Sequence, residues 1–309
     1  MKFLQHLAKA KPPTTLRSVL HKAMAGPRPA RPHTILHASD FSDPNFCPRK
    51  VCLLDATGAP PKGEHLSTAQ TMTFAIGHAV QDLVVTFLAN AGVAVSDWKC
   101  RTCGALHPFR KRPSSCLQCS APQWALQPIE PRIECPISGL SGGIDVLADM
   151  GGLRPVMVEV KTIRPEDFKK IEKPLLEHAL RTKIYLELAA RLPPEHRLHG
   201  RIETGFAKVF YVSKGGWGAL DTSLHAEGVI EKFSPFREFI VTPSPELIAP
   251  ILERAASITR FRRREAGIPS IEGCDTVFCS RAKGCSMAHA CFGGAFPAGW
   301  MLPEANQCL

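Results

Sequence analysis

The chain has 309 residues, 44% of them hydrophobic and 21% charged, which suits one large globular domain, or one domain carrying an insertion, and excludes a chain disordered throughout. A formal net charge of +10 and a pI of about 9.1 favour a polyanionic partner, nucleic acid first. The longest apolar runs, such as residues 156–158, are too short to cross a bilayer, so no membrane is expected.

Twelve cysteines is a high count for this length. The first residues lack the uninterrupted apolar core of a signal peptide, so a cytoplasmic setting is expected, and the cysteines read as metal ligands before disulfides. Residues 1–39 hold no Asp or Glu but carry Lys2, Lys9, Lys11, Arg17, Lys22, Arg28 and Arg31. They read as a basic, partly flexible arm, either a contact to DNA phosphates or a solvated tail.

From 68 to 92, Phe74, Val80, Val84, Phe87 and Leu88 recur at three- and four-residue spacing and predict a helix closed by Gly92. Residues 98–124 are rich in Cys and Pro and read as an insertion. The stretch 129–163 returns to strand patterns separated by glycine pairs. A helix is expected over 172–192, with Leu175, Leu176, Ala179, Ile184 and Leu188 on its apolar face. A strand is expected over 205–214. A second long helix is expected over 245–265, with Ser244 as N-cap and Pro245 in the first turn, running into Arg260, Arg262, Arg263 and Arg264. This order of elements predicts an α/β domain with a mixed sheet.

The sharpest signal is GGIDVLADMGGLRPVMVEVKT over 142–162. Two strands, about 143–149 and 155–162, are joined by a linker rich in turn residues, which predicts a hairpin. Asp145 falls on the first strand, and Glu159 and Lys161 share one face of the second. Charged side chains inside such an apolar run are costly unless paired or metal-bound. Two carboxylates can hold Mg²⁺ or Mn²⁺ through oxygen, and a lysine can position a water or stabilise developing charge. Set against this is an edge hairpin with a surface ion pair.

An Asp, a hairpin and then Glu-x-Lys resembles the PD-(D/E)XK nucleases, and the further motifs resemble the RecB-like branch with AddB and the CRISPR-associated exonucleases. The resemblance implies a restriction-endonuclease-like core of mixed sheet and flanking helices over 40–292, with 293–309 as a tail. It implies metal-dependent DNA cleavage, with exonuclease action on single-stranded ends, in an enzyme of the kind carried by bacterial or phage genomes. The branch places a metal-ligating His in G-x-x-x-H on an upstream helix. Here that position is Gln81, with His78 one turn earlier. The branch also carries Q-x-x-x-Y on the helix after the hairpin. Here Tyr185 is kept and Arg181 replaces the Gln. These departures leave a second expectation, a DNA-binding module with a degenerate nuclease fold, and a third, an RNA-processing nuclease.

Cys100-x2-Cys103 and Cys116-x2-Cys119, twelve residues apart, form a zinc-ribbon signature. Arg110, Lys111 and Arg112 between them make it either a basic finger on DNA or a zinc-stabilised insertion. The iron–sulfur members of the branch hold a [4Fe–4S] cluster with one early and three late cysteines. The resemblance places the cluster on four of Cys47, Cys274, Cys279, Cys285 and Cys291, with Cys274 preferred to Cys279. Zinc or unliganded thiols are the alternatives. Cys52, Cys135 and Cys308 read as ordinary thiols. Protein partners are not legible.

Overall fold

The computed structural model describes residues 16–24, 35–43, 46–58, 67–215, 234–270, 274, 279–283 and 285–292. In chain order the elements begin α1 (Leu16–Met24), β1 (Leu36–His37), α2 (Ala38–Phe41), α3 (Pro48–Thr57) and α4 (Thr68–Asn90). Next come β2 (Ala94–Cys100), β3 (Leu106–Lys111), β4 (Leu126–Ile129), β5 (Arg132–Glu134), β6 (Leu140–Gly143), β7 (Val146–Ala148) and β8 (Val156–Ile163). The chain continues through α5 (Pro165–Phe168), α6 (Leu176–Ala190), β9 (Ala207–Ser213), β10 (Phe236–Val241) and α7 (Pro245–Arg262), and the last described elements are α8 (Ser280–Lys283) and α9 (Ala288–Phe292). The fold is α/β with a mixed sheet flanked by helices.

The main sheet has strand order β10-β9-β8-β7-β2-β3, with β4 alongside β2. The β8–β9 pair is parallel and its other pairs are antiparallel. A smaller sheet is ordered β1-β6-β5. Strand alternation supplies both faces of the main sheet. Leu147, Met157, Val209 and Tyr211 join a core with Ile184 and Leu188 of α6 and Ile251 and Ala255 of α7. Val146, Ala148, Val158, Val160 and Val212 pack on Val84, Val85 and Ala89 of α4. Burial on both faces explains why β8 reads as an apolar run rather than an alternating one.

Several expectations change in detail. Where the arm was expected to reach residue 39, Leu36 and Ala38 are core residues and α1 is helical; residues 1–15, 25–34 and 293–309, with Cys308, lie outside the described residues. Helix α4 stops at Asn90, followed by Gly92 at φ +70°. Its expected apolar face is only half right. Val84 is buried, but Phe74 and Phe87 are exposed along with Met72, Ile76 and Leu83. The sheet covers one side of α4, and the apolar residues run around the helix. With His78 and Asp82 as its ionisable groups, this helix is long and apolar enough to cross a membrane by length and composition, although the apolar runs of the sequence are short. Leu175 and Leu176, expected on the inner face of α6, are exposed at its start.

The ribbon segment is continuous with the main sheet. Strand β2 pairs with β7 at Ala94 and Val95, then with β4 from Asp97 to Cys100. The ribbon therefore grows out of a strand of the main sheet. The buried Asp97 accepts from the Phe109 amide at 2.8 Å and pairs with Arg197, which ties this strand to the loop after α6.

Candidate active site and metal centres

Asp145 does not lie on a strand. It occupies the bend between β6 and β7, where its carboxylate is aimed at the middle of β8. Its Oδ2 accepts from the Val160 amide at 2.8 Å, and its Oδ1 accepts from Gln81 Nε2 at 3.1 Å. Glu159 is buried, with 3% of its surface exposed. Its Oε1 meets two cations, Lys161 Nζ at 2.6 Å and Arg181 NH1 at 2.9 Å. The same ammonium lies 3.9 Å from Asp145 Oδ2. Asp145, Glu159, Lys161, Gln81 and Arg181 thus form one connected cluster drawn from a bend, β8, α4 and α6.

Burial pushes the Asp145 carboxyl up to about 7, with the Glu159 charge adding to the rise and Lys161 opposing it. A raised folded-state value is a penalty on the ionised form. The stabilisation of the protonated form is complete below the unfolded-state value near 4 and is lost as pH rises through about 7. Asp145→Asn in protein stripped of divalent cations is therefore expected to be more stable than wild type at pH 8, by up to ~4 kcal/mol. The difference should shrink toward pH 4, as read by thermal unfolding across pH. Equal melting curves at pH 8 would count against this electrostatic account.

The remaining residues divide. His78 is exposed on α4, whereas the half-buried Gln81 reaches Asp145. Tyr185 is buried and its ring lies on Gly142, where any Cβ would overlap it. Burial, then the Glu159 charge, raises its phenol well above the ordinary value. Two residues were missed by sequence reasoning. Glu130 lies over Gly143, where a Cβ would strike its carboxylate, and its charge adds to the upward pressure on Asp145. His178 Nδ1 lies 2.8 Å from the Tyr211 hydroxyl. Burial, followed by Lys161, depresses it to about 4, so it is neutral near pH 7. The glycine pair was the one available signal for Glu130; no motif marks His178.

The four ribbon sulfurs converge. All lie within 4.8 Å of one another, with Cys100–Cys119 at 3.7 Å and Cys103–Cys116 at 3.6 Å. A tetrahedral S4 zinc site with 2.3 Å bonds has sulfur–sulfur edges of about 3.8 Å, so the group fits that metal. Backbone N–H groups from Cys103 and Thr102 help draw the Cys100 thiol down to about 6, toward the thiolate that a metal requires. The buried His107 places Nε2 3.4 Å from Cys116 Sγ, a partner of the kind that orients metal ligands.

A second cavity is lined by Cys47, Cys274, Cys285 and Cys291, with Arg49 beside them. Arg49 is buried, and its Nε donates to Cys291 Sγ at 3.2 Å and its NH1 to the Pro269 carbonyl at 2.9 Å. The Cys279 sulfur accepts from the Ala282 amide at 3.2 Å, and its side chain also meets that of Cys274. Four thiols around one cavity, with a guanidinium donating to a sulfur, suit a thiolate-held metal cluster. Cys52 and Cys135 are buried in the apolar core. The basic cluster at the end of α7 is largely engaged within the protein. Arg262 pairs with Asp55 at 2.8 Å, Arg260 with Glu253, and Arg263 donates to the Pro136 carbonyl at 3.3 Å.

No family model matches the chain, and no curated protein matches it. Among solved structures, it is similar to an alkaline exonuclease (LHK-Exo) from Laribacter hongkongensis, at 11% identity and a TM-score of 0.39, over 80% of this chain and 93% of that one. The same exonuclease in complex with dAMP aligns at 13% identity and a TM-score of 0.39, over 75% and 89%. SSO0001 aligns at 13% identity and a TM-score of 0.35, over 79% and 82%.

Proposed function

We propose that this protein is a metal-dependent deoxyribonuclease acting on single-stranded DNA ends as an exonuclease. The observation that carries the reading is the buried Asp145–Lys161–Glu159 cluster, two carboxylates from different elements sharing one ammonium. Carboxylates held this way in a dry setting are what a hard divalent cation needs. Asp145 and Glu159 would hold Mg²⁺ or Mn²⁺, with Gln81 orienting Asp145; a cation there polarises the phosphate and acidifies a bound water. Lys161 stabilises the charge that develops on the phosphate oxygens. Arg181 anchors Glu159 and has further N–H donors for a neighbouring phosphate. Tyr185 packs against Gly142 and fixes the approach of the Asp145 bend. Purified protein with Mn²⁺ should degrade labelled single-stranded DNA, and Asp145→Ala should stop it. Degradation of RNA in preference to DNA would redirect the reading to RNA processing.

A second reading, a DNA-binding module that does not cut, is favoured by one specific observation. Arg181 and Lys161 both occupy one oxygen, Oε1, of the Glu159 carboxylate. Binding without cleavage in the same assay would establish it.

The ribbon cysteines are assigned to zinc, and Cys47, Cys274, Cys285 and Cys291 to a [4Fe–4S] cluster that staples α3 to the α8–α9 segment. Anaerobically purified protein should be brown, with about four irons per chain expected for one cluster, and should lose both colour and iron in Cys285→Ala. A colourless protein carrying a second zinc would overturn the cluster assignment.

A further inference from the structure

Residues 98–129 contain no Asp or Glu but carry Lys99, Arg101, Arg110, Lys111 and Arg112. Lys111 pairs with Asp149 at 2.8 Å, and Arg112 bonds Asn90. Lys99, Arg101 and Arg110 are exposed. Within this acid-free segment stands Trp124, 76% exposed, the most exposed aromatic among the described large hydrophobics. A tryptophan so placed forgoes most of the burial that ordinarily fixes its position. It sits in the short turn Gln123–Ala125 just ahead of β4. That turn is held on both sides, with the Cys116 amide donating to the Ala121 carbonyl at 2.7 Å ahead of it. The Arg101 amide donates to the Ala125 carbonyl at 2.9 Å, and the flanking Ala125 and Leu126 are buried. The indole is thus presented by a held backbone, one residue from the Ala125 carbonyl that the Arg101 amide bonds.

We propose that Trp124 is a nucleobase-stacking platform, and that Lys99, Arg101 and Arg110 contact the phosphates of the same DNA strand. This rests on the deoxyribonuclease reading for its choice of ligand. A positive groove with an exposed aromatic is the standard means of holding unpaired bases, because every base offers a π-face. Charge complementarity selects a polyanion over a second copy of this chain, which is itself strongly basic. The geometry joins the platform to the acidic cluster. From Trp124 the chain runs extended through β4 to Glu130, a reach of at most about 20 Å at ~3.4 Å per residue. Glu130 lies over Gly143, two residues before Asp145. A strand stacked on Trp124 would therefore reach the acidic cluster within on the order of six nucleotides at 3.4 Å each.

The test is equilibrium binding of a labelled thymidine oligonucleotide to the full chain, zinc content verified, with no divalent cation added. Trp124→Ala is expected to weaken binding about tenfold, within the range that one base–aromatic stack supplies. Trp124→Phe should stay within about twofold of wild type, since a ring remains. An oligonucleotide made abasic throughout should bind wild type about tenfold more weakly and should bind Trp124→Ala no more weakly than it binds wild type. Arg101→Gln should lower the salt slope by about 0.7, the value for one phosphate contact on a single strand. Unchanged binding by Trp124→Ala, equal abasic penalties in wild type and Trp124→Ala, or a Trp124-dependent self-association with no effect on DNA would each overturn the proposal. Because no cleavage is measured, a platform that survives in a protein that never cuts would leave this inference standing while removing the nuclease reading.

Discussion

Lys161→Ala is expected to lower the rate of metal-dependent DNA cleavage about a hundred- to a thousandfold, the range for removing one group that stabilises transition-state charge. The structure makes the form of the loss specific. The Lys161 ammonium sits 2.6 Å from Glu159 Oε1 and 3.9 Å from Asp145 Oδ2. It therefore neutralises the very carboxylates that a cation would use. Removing it abolishes charge stabilisation during reaction but leaves the two carboxylates with less competition. Mn²⁺ should then bind Lys161→Ala at least as tightly as wild type, while turnover collapses. Asp145→Ala should behave oppositely, losing metal affinity along with turnover, because it deletes a ligand. Direct metal titration beside single-turnover cleavage separates the two. Full cleavage by Lys161→Ala would sink the assignment of this cluster as the reacting centre.

Removing zinc from the ribbon is expected to have the second large effect. Structural zinc contributes roughly 10–16 kcal/mol of apparent binding energy in small domains, and that energy is folding energy. In this protein the effect should not stay local. Cys100 is the last residue of β2, whose other end pairs with β7 beside the Asp145 bend. Between them lie the fully buried Trp98 and the Asp97–Arg197 pair. Loosening the ribbon should fray β2 toward the main sheet. Cys100→Ser or Cys116→Ser is expected to lose one zinc per chain. Its unfolding temperature should fall by at least ~20 °C, at ~2–4 °C per kcal/mol for a domain of this scale. A variant without zinc that melts with wild type would show that the ribbon folds only itself.

The chemistry-bearing residues were legible because their types are costly where the pattern puts them. Glu159 and Lys161 stand inside an apolar run, and the ribbon cysteines keep a fixed spacing; the structure draws each set together. Local pattern was less informative about position. Asp145 reads as part of a strand, yet it lies in a bend, because β6 belongs to a different sheet from β7 and the chain must turn between them. The α4 periodicity named a helix but misplaced its inner face, since apolar residues surround it and only packing selects Val84, Val85 and Ala89.

The sequence by itself determined the α/β class, the cysteine groups and the identity of the central acidic cluster. These depend on residue type and short spacing, and both survive without knowledge of the fold. Only the tertiary structure decided that Gln81 meets Asp145, that Arg181 holds Glu159, and that Glu130 approaches the bend over Gly143. Those choices turn on the rotation of a helix about its axis and on contacts between segments distant in sequence. Neither has a signature in the order of residues, because each is fixed by which apolar surface the whole chain manages to bury.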